Sequence, residues 1–403
     1  MLGGWLMSLA LMKRLMTEPD KRLLWKFGYN FGYKGMRAVE RFQKRMKRGE
    51  YFPAFLFISV TNACNLSCQG CWVSQTNPPR QISPDTLDNL IRECKGLGSF
   101  FFGILGGEPL LYDGLFEVFA RHPDCYFLLF TNGTLIDDRM AREMRRLGNI
   151  SPLISIEGLE SVSDVRRGGD DVFAQTLAGL SHCRSNRLVT GVATSICKSN
   201  IEDLATESFV KRITDLGAHY LWYYIYRPVG PNPAPELALD PQQIVDLRRF
   251  MVDIRARAPL MIVDAYWDDR GRALCPAAVG MANHISPDGW IEPCPPLQFA
   301  KENIGDGTGL FDIFNSSEFL ARFRRMSCDT TRGCIIMEHP EALAGFIRTE
   351  EAVDSSGRGS LLKELGGMCA CGSHHQPGSE IPERSWAYRF AKKNWFFGFG
   401  AYG

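Results

Sequence analysis

FLFISVTNACNLSCQGCW, residues 55–72, runs from a strand-length apolar segment straight into three cysteines, Cys64, Cys68 and Cys71. Residues 55–60 are a continuous apolar run, which suits a strand buried on both sides of a parallel sheet. The pattern recurs in FFFGIL (100–105), YFLLF (126–130), LISI (153–156), VTGVATSI (189–196) and LWYYIY (221–226). Helical patterns lie between most of these runs, among them 84–97, 171–183 and 241–258. Six strands alternating with helices fit an open α/β sheet or a partial barrel. The fold class expected is α/β, a partial (β/α)6 TIM-like barrel with a small cysteine-rich C-terminal extension. Reactive groups of parallel barrels gather at the C-terminal ends of the strands. The cysteine loop, following the first strand, sits where such a site belongs.

The chain has 403 residues, 45% of them apolar, enough for a sizeable core. Charge is unevenly divided. Residues 1–50 hold twelve Lys/Arg against four Asp/Glu, a charge of +8, and the remainder holds 34 against 41, a charge of −7. Thirteen cysteines, an odd number without a secretory leader, argue against a disulfide framework. No stretch reaches the roughly 18–20 apolar residues of a membrane span. The expected compartment is the reducing cytoplasm. Composition divides the chain into a basic amphipathic helical segment (1–50), the barrel (51–260), a cysteine-rich region (261–371) and an aromatic basic tail (372–403).

Structural zinc sites and ferredoxin-type clusters close four protein ligands. Three thiols on a short loop leave one iron of a 4Fe–4S cluster open to a small molecule. Cys64-x3-Cys68-x2-Cys71 after a first strand, with GGEP (106–109), TNG (131–133), SIEG (155–158) and YRPVGP (226–231) at later strand ends, resembles the radical S-adenosylmethionine (SAM) superfamily. The resemblance covers roughly residues 52–230. It implies a 4Fe–4S cluster on Cys64, Cys68 and Cys71, with SAM on the open iron and reductive cleavage to a 5′-deoxyadenosyl radical. It also implies SAM contacts from Gly106, Gly107, Glu108, Pro109, Asn132, Ser155 and Glu157. Ser155 and Glu157, two apart on a strand end, are expected on one side. The family usually places an aromatic residue just before the third cysteine; here Gly70 stands there and Trp72 follows Cys71.

A second set, Cys275 and Cys294 around the turn SPDG, followed by Cys328 and Cys334, resembles the auxiliary-cluster extensions called SPASM and twitch. The resemblance implies one auxiliary 4Fe–4S cluster on these four thiolates. Cys369 and Cys371, close to His374 and His375, fit either a surface turn or alternative ligands. Cys94, Cys125, Cys183 and Cys197 read as buried packing residues.

Read as a helix, residues 21–48 place Leu24, Phe27, Phe31, Val39, Phe42 and Met46 on one face and Arg22, Lys26, Arg37, Arg41, Lys44 and Arg48 on the other. Such a helix suits either an anionic membrane surface or the side of the barrel. WAYRFAKKNWFFGFGAYG (386–403) could cap the barrel, line an apolar channel or touch lipid; nucleic acid is not expected. The function these features imply is a radical SAM enzyme abstracting hydrogen from an unreactive C–H of a peptide or lipid. Flavodoxin or ferredoxin would be the electron donor, with peripheral contact at the inner face of a membrane. No acid/base or radical-quenching residue stands out. The competing reading is a non-catalytic iron–sulfur electron carrier or scaffold on the same fold.

Overall fold

The computed structural model describes residues 9–394. The last nine residues of the aromatic tail lie outside the described residues. Each apolar run forms a strand: β1 Leu56–Ser59, β2 Phe101–Leu105, β3 Tyr126–Thr131, β4 Ile150–Ser155, β5 Gly191–Ile196 and β6 Tyr220–Ile225. Three short strands follow, β7 Met261–Val263, β8 His284–Ile285 and β9 Ile291–Glu292. The N-terminal helices are α1 Leu9–Thr17, α2 Lys21–Lys26 and α3 Lys34–Met46. Those of the barrel are α4 Pro84–Gly96, α5 Leu115–Arg121, α6 Asp138–Leu147, α7 Glu160–Arg167, α8 Val172–Ser185, α9 Ile201–Leu204, α10 Glu207–Asp215 and α11 Pro241–Ile254.

Strands β1 to β7 pair in parallel in chain order, giving the expected partial barrel. Polar caps start the helices. Ser83 accepts from the Thr86 N–H and Asp137 from the Met140 N–H, and Asp240 forms a capping box with Gln243 ahead of Pro241. The sheet continues beyond position 260, where the sequence alternation stops. β7 adds to β6, β8 lies parallel on the free edge of β1, and β9 turns back antiparallel to β8. The SPDG turn makes this hairpin, with Gly289 at a φ of +85° and its N–H donating to the Ser286 carbonyl at 2.9 Å. A buried polar chain fastens the hairpin. His284 Nε2 lies 2.7 Å from Ser59 Oγ, His284 Nδ1 lies 2.6 Å from Glu292 Oε2, and Ser355 Oγ donates to Glu292 Oε1 at 2.5 Å.

The basic N-terminal segment forms an arm across the bottom of the barrel, where strands begin and helices end. Residues 21–46 are helical throughout, with a π-helical stretch at Phe27–Tyr33 that re-aims the apolar face. Leu23, Phe31, Ala38, Val39 and Phe42 are buried, whereas Met46 is exposed. Of the expected stripe, Phe31, Val39 and Phe42 pack on the barrel, Leu24 and Phe27 are half-buried, and Met46 faces outward; Leu23 and Ala38 join the buried face instead. The cations take main-chain carbonyls. Arg14 donates to Thr214, Ala218 and Pro259, Lys26 to Leu147 and Lys34 to Asp124 at 2.7–3.1 Å, and Arg22 to Arg145 and Arg146. Several of these oxygens belong to the last turns of α6 and α10, the negative end of the helix dipole, where cations are stabilising. Beneath α1, His219 is buried and its pKa drops to about 4, through desolvation and the nearby Arg14. Outward, Trp25, Tyr29 and Tyr33 are exposed and stack in sequence with centroids 5.8 and 5.7 Å apart.

The C-terminal helix Trp386–Asn394 docks through a buried ionic cluster. Lys392 Nζ donates to Asp264 at 3.0 and 3.1 Å and to the Trp267 carbonyl. Arg248 and Arg255 pair with both Asp264 and Glu383, and all five side chains are at most 2% exposed.

Candidate active site

The cysteine loop is held by main-chain contacts on three sides. The Gly107 N–H donates to the Thr61 carbonyl at 2.9 Å and the Glu108 N–H to the Ala63 carbonyl at 2.7 Å, so GGEP is zipped along the start of the loop. A Cβ on Gly107 would strike the Ala63 carbonyl, so the close approach this glycine permits is to the loop itself. From α7, the Arg166 carbonyl accepts from the Gln69 N–H at 2.9 Å; after β6, the Asn232 carbonyl accepts from the Gly70 N–H at 3.0 Å. Gly230, at a φ of +99°, lies so close to the Cys71 carbonyl that a Cβ there would overlap it.

Cys64, Cys68 and Cys71 are half-exposed. Burial pushes the Cys64 thiol up to about 11 and the Cys71 thiol to about 12, with Cys68 adding to both. Three thiols in mutual electrostatic contact resist ionising together, and bound iron would remove that cost. Arg167 Nη1 lies 3.6 Å from Cys68 Sγ. Among the described residues no three His, Cys, Asp or Glu side chains converge on a point that a single ion would fill. A four-iron cluster draws its thiolates from around a cube and asks for wider spacing. The donor chemistry, three thiols with a buried guanidinium beside them, fits such a cluster.

The strand-end residues gather next to this loop. Glu108 is buried and accepts from the Leu110 N–H, Thr131 Oγ1 and the Asn132 N–H at 3.1, 2.7 and 2.7 Å. Both its oxygens tie the end of β2 to the end of β3, and burial raises its pKa despite these bonds. Pro109 opens the short 3-10 turn that follows. Asn132 Nδ2 donates to Asn65 Oδ1 at 2.8 Å, reaching back to the cysteine loop. Ser155 and Glu157 line one chamber, as their spacing required. Glu157 Oε2 accepts from the Ser195 N–H at 3.1 Å and from Arg166 Nη2 at 3.4 Å.

Two site residues escaped the sequence reading, Arg166 and Arg167. Both are buried against the chamber. Arg166 Nε and Nη1 and Arg167 Nε and Nη2 have no hydrogen-bond partner. Buried, unpaired guanidinium donors are costly, and an incoming carboxylate would satisfy them. The only sequence signal was the doublet before two glycines, RRGG (166–169), which reads as an ordinary helix end. Gly70 has its own explanation: the space a Cβ would fill is taken by the Tyr226 ring, whose face carries the Arg166 guanidinium at 5.0 Å. Trp72 also lines the chamber, edge-on to His284.

Of the second cysteine set, Cys275, Cys294 and Cys334 line the same chamber. Burial pushes Cys275 up to about 12, with Cys334 the next cause, and Cys294 rises through burial, Cys275 and Cys334. Arg227 Nε lies 3.3 Å from Cys334 Sγ. Cys328 is exposed, its thiol 3.6 Å from the Ala278 carbonyl. Cys371 is half-buried and raised by burial and by Cys334. His374 is buried with Nε2 at 2.7 Å from the Leu274 carbonyl.

Residues 58–209 match the family model of the radical SAM superfamily. The sporulation killing factor maturation protein SkfB of Bacillus subtilis is 25% identical over 291 residues, 69% of this chain and 68% of that protein. The Fe-coproporphyrin III synthase of Methanosarcina barkeri is 29% identical over 150 residues, 36% of this chain and 38% of that one. The chain thus spans between about two fifths and two thirds of the length of these two curated relatives. The crystal structure of Streptococcus suis SuiB superposes with a TM-score of 0.61 at 17% identity, over 84% of this chain and 81% of that one, and shows the shared fold.

Proposed function

We propose, for a chain that carries a radical SAM domain over residues 58–209, an enzyme that cleaves SAM reductively and abstracts hydrogen from an unreactive C–H of a peptide or lipid. Cys64, Cys68 and Cys71 would hold its 4Fe–4S cluster; Cys275, Cys294, Cys328 and Cys334 would hold one auxiliary 4Fe–4S cluster. When bound, the first cluster and SAM supply a 5′-deoxyadenosyl radical.

The chain's own residues orient and shield. Arg166 and Arg167 offer their unpaired N–H groups to the SAM carboxylate. Glu157 suits paired ribose hydroxyls, since a carboxylate accepts more than one bond. Tyr226, standing where Gly70 leaves room, offers a ring face for adenine. Gly106, Gly107, Glu108, Pro109 and Asn132 hold the strand ends against the cysteine loop. Apolar walls below exclude water, which would otherwise quench a reactive intermediate. In this reading the described part of the arm (9–50) closes the barrel (51–260) from below, the region 261–371 carries the auxiliary cluster, and the described part of the tail (372–394) closes an edge.

A peptide substrate draws support from SuiB, one structure of which holds its precursor peptide SuiA; a lipid draws support from the chamber walls. A flavodoxin- or ferredoxin-type donor completes the reading in the cytoplasm. Peripheral membrane contact would use the outward Trp25, Tyr29 and Tyr33, residue types that favour bilayer interfaces. No helix among the described residues is long and apolar enough to cross a membrane.

The observation that carries the proposal is three clustered thiols beside two buried guanidiniums, Arg166 and Arg167, that each keep N–H groups without a hydrogen-bond partner. Anaerobic reconstitution followed by dithionite and SAM should release 5′-deoxyadenosine. A verified cluster that releases none would leave the electron-carrier reading in its place.

A further inference from the structure

The interior of an ordinary parallel barrel is filled by its own side chains. This one keeps a cavity of about 380 Å³, open at the top, which extends from Phe27 and Phe31 up to Cys68, Cys71 and Cys275 and so includes the space proposed for SAM. Its walls include alternate residues of β3 (Tyr126, Leu128, Phe130) and of β6 (Tyr220, Trp222, Tyr224), from first turn to last. The floor is not part of the barrel. It is Phe27 and Phe31 of the N-terminal arm, with ring centroids 5.0 Å apart, packed on Phe101 and Tyr126.

The polar groups are unevenly placed. Glu157, Arg166 and Arg167 stand at the upper rim beside the cysteine loop. The hydroxyls at the bottom satisfy one another: Ser151 Oγ donates to the Val189 carbonyl at 2.6 Å, lies 2.8 Å from the Tyr220 hydroxyl and bonds Tyr126. A peptide backbone entering this lower part would lose its hydrogen bonds to water and meet mainly carbon, the Trp222 indole N–H being among the few polar groups on the walls, which is costly. A hydrocarbon chain would lose nothing and would bury its surface against aromatic walls.

We infer that the lower chamber binds a long hydrocarbon chain, acyl or isoprenoid, and that Phe27 and Phe31 of the arm set the length it accepts. Its assignment as part of the substrate rests on the proposed function; the binding itself does not. Four rises of about 3.3 Å, from Tyr126 to Phe130, give a depth of roughly 13 Å. An extended chain advances about 1.2 Å per bond, so the chamber takes roughly a dozen carbons.

The test uses the reconstituted full-length protein with SAM and ω-bromo fatty acids of 8 to 16 carbons as probes. Bromine quenches tryptophan, and Trp222 stands midway along the wall. Affinity should rise about fourfold per added methylene up to roughly twelve carbons and then level off. Phe31→Ala should move the break to longer chains. Ala193→Phe, which fills the chamber at mid-height, should weaken the twelve-carbon probe at least about tenfold, with thermal midpoints recorded for both variants. Displacement by farnesol at lower concentration than by dodecanoate assigns the chain as isoprenoid, and the reverse order as acyl. Absence of saturable quenching, affinity independent of length, a break that stays put in both variants, or quenching relieved only by an apolar peptide overturns the inference. Deoxyadenosine release is measured on the same samples. SAM cleavage without chain binding sinks the chamber assignment alone; chain binding without SAM cleavage sinks the enzyme reading alone.

Discussion

The buried cluster under the C-terminal helix holds three cations, Arg248, Arg255 and Lys392, and two carboxylates, Asp264 and Glu383. Charge counting predicts an asymmetry between two single substitutions there. Lys392→Met leaves two cations facing two carboxylates and puts an apolar chain of similar length in a buried slot. Its cost should stay below about 2 kcal/mol, because a buried ion replaced by a well-packed apolar group is often nearly neutral. Asp264→Asn leaves three cations on one carboxylate. Asp264 also accepts from the Tyr266 and Trp267 N–H groups at 3.2 and 3.3 Å, and an amide oxygen can keep those. The loss is therefore mainly charge, about 3–5 kcal/mol for an uncompensated buried ion. At roughly 2 °C per kcal/mol for a chain of this size, Asp264→Asn should lower the anaerobic thermal midpoint by about 6–10 °C and Lys392→Met by less than about 4 °C. Near-ultraviolet circular dichroism at neutral pH reads both. Equal losses, or a larger one for Lys392→Met, would show that helix docking rather than charge balance governs the cluster.

Acid should weaken the fold through His219. Its pKa is about 4 in the folded protein against 6.5 ordinarily, so the native state stays neutral while the unfolded chain takes up a proton. The stability is complete above pH 6.5 and drains away as pH falls toward 4, by about 2 kcal/mol at pH 5; urea midpoints of wild type and His219→Asn at pH 7 and 5 should differ in slope. Gly230→Ala should displace the Cys71 carbonyl and strip roughly one cluster's worth of iron per chain, read by iron analysis after reconstitution; full iron content would contradict the clamp. Arg167→Met should weaken SAM binding about tenfold to a hundredfold, the worth of a charge-assisted hydrogen bond, with iron content unchanged; calorimetry showing wild-type affinity would remove Arg167 from the site. Iron counts after reconstitution should fall for Cys328→Ala and hold for Cys371→Ala; the reverse result would move the fourth auxiliary ligand to Cys371.

Strands β1 to β6 were legible because runs such as YFLLF and LWYYIY are long enough to carry a pattern. β7, with three residues, and β8 and β9, with two each, are too short to carry one, so the sheet's growth past position 260 appears only in three dimensions. The apolar stripe of residues 21–48 was readable, but the surface it meets was not. Its cations choose main-chain oxygens, and nothing in the side-chain alphabet marks those. The cysteine loop declared itself by spacing. Arg166 and Arg167 did not, since what distinguishes them is the set of buried N–H groups that folding leaves without hydrogen bonds. The second cysteine set was read through its resemblance to the auxiliary-cluster extensions, and Cys371, 37 positions beyond Cys334, was left open between a surface turn and an alternative ligand.

The arm's way of gripping has a consequence for drift. Arg14, Arg22, Lys26 and Lys34 recognise carbonyls that every amino acid carries. The helix ends beneath them are free to exchange side chains without loosening the arm, while the arm can shed few charges without orphaning those oxygens. Tolerance to substitution should therefore be lopsided across this contact: permissive on the barrel side and strict on the arm, a contrast that a saturation-mutagenesis map of the two faces would make visible.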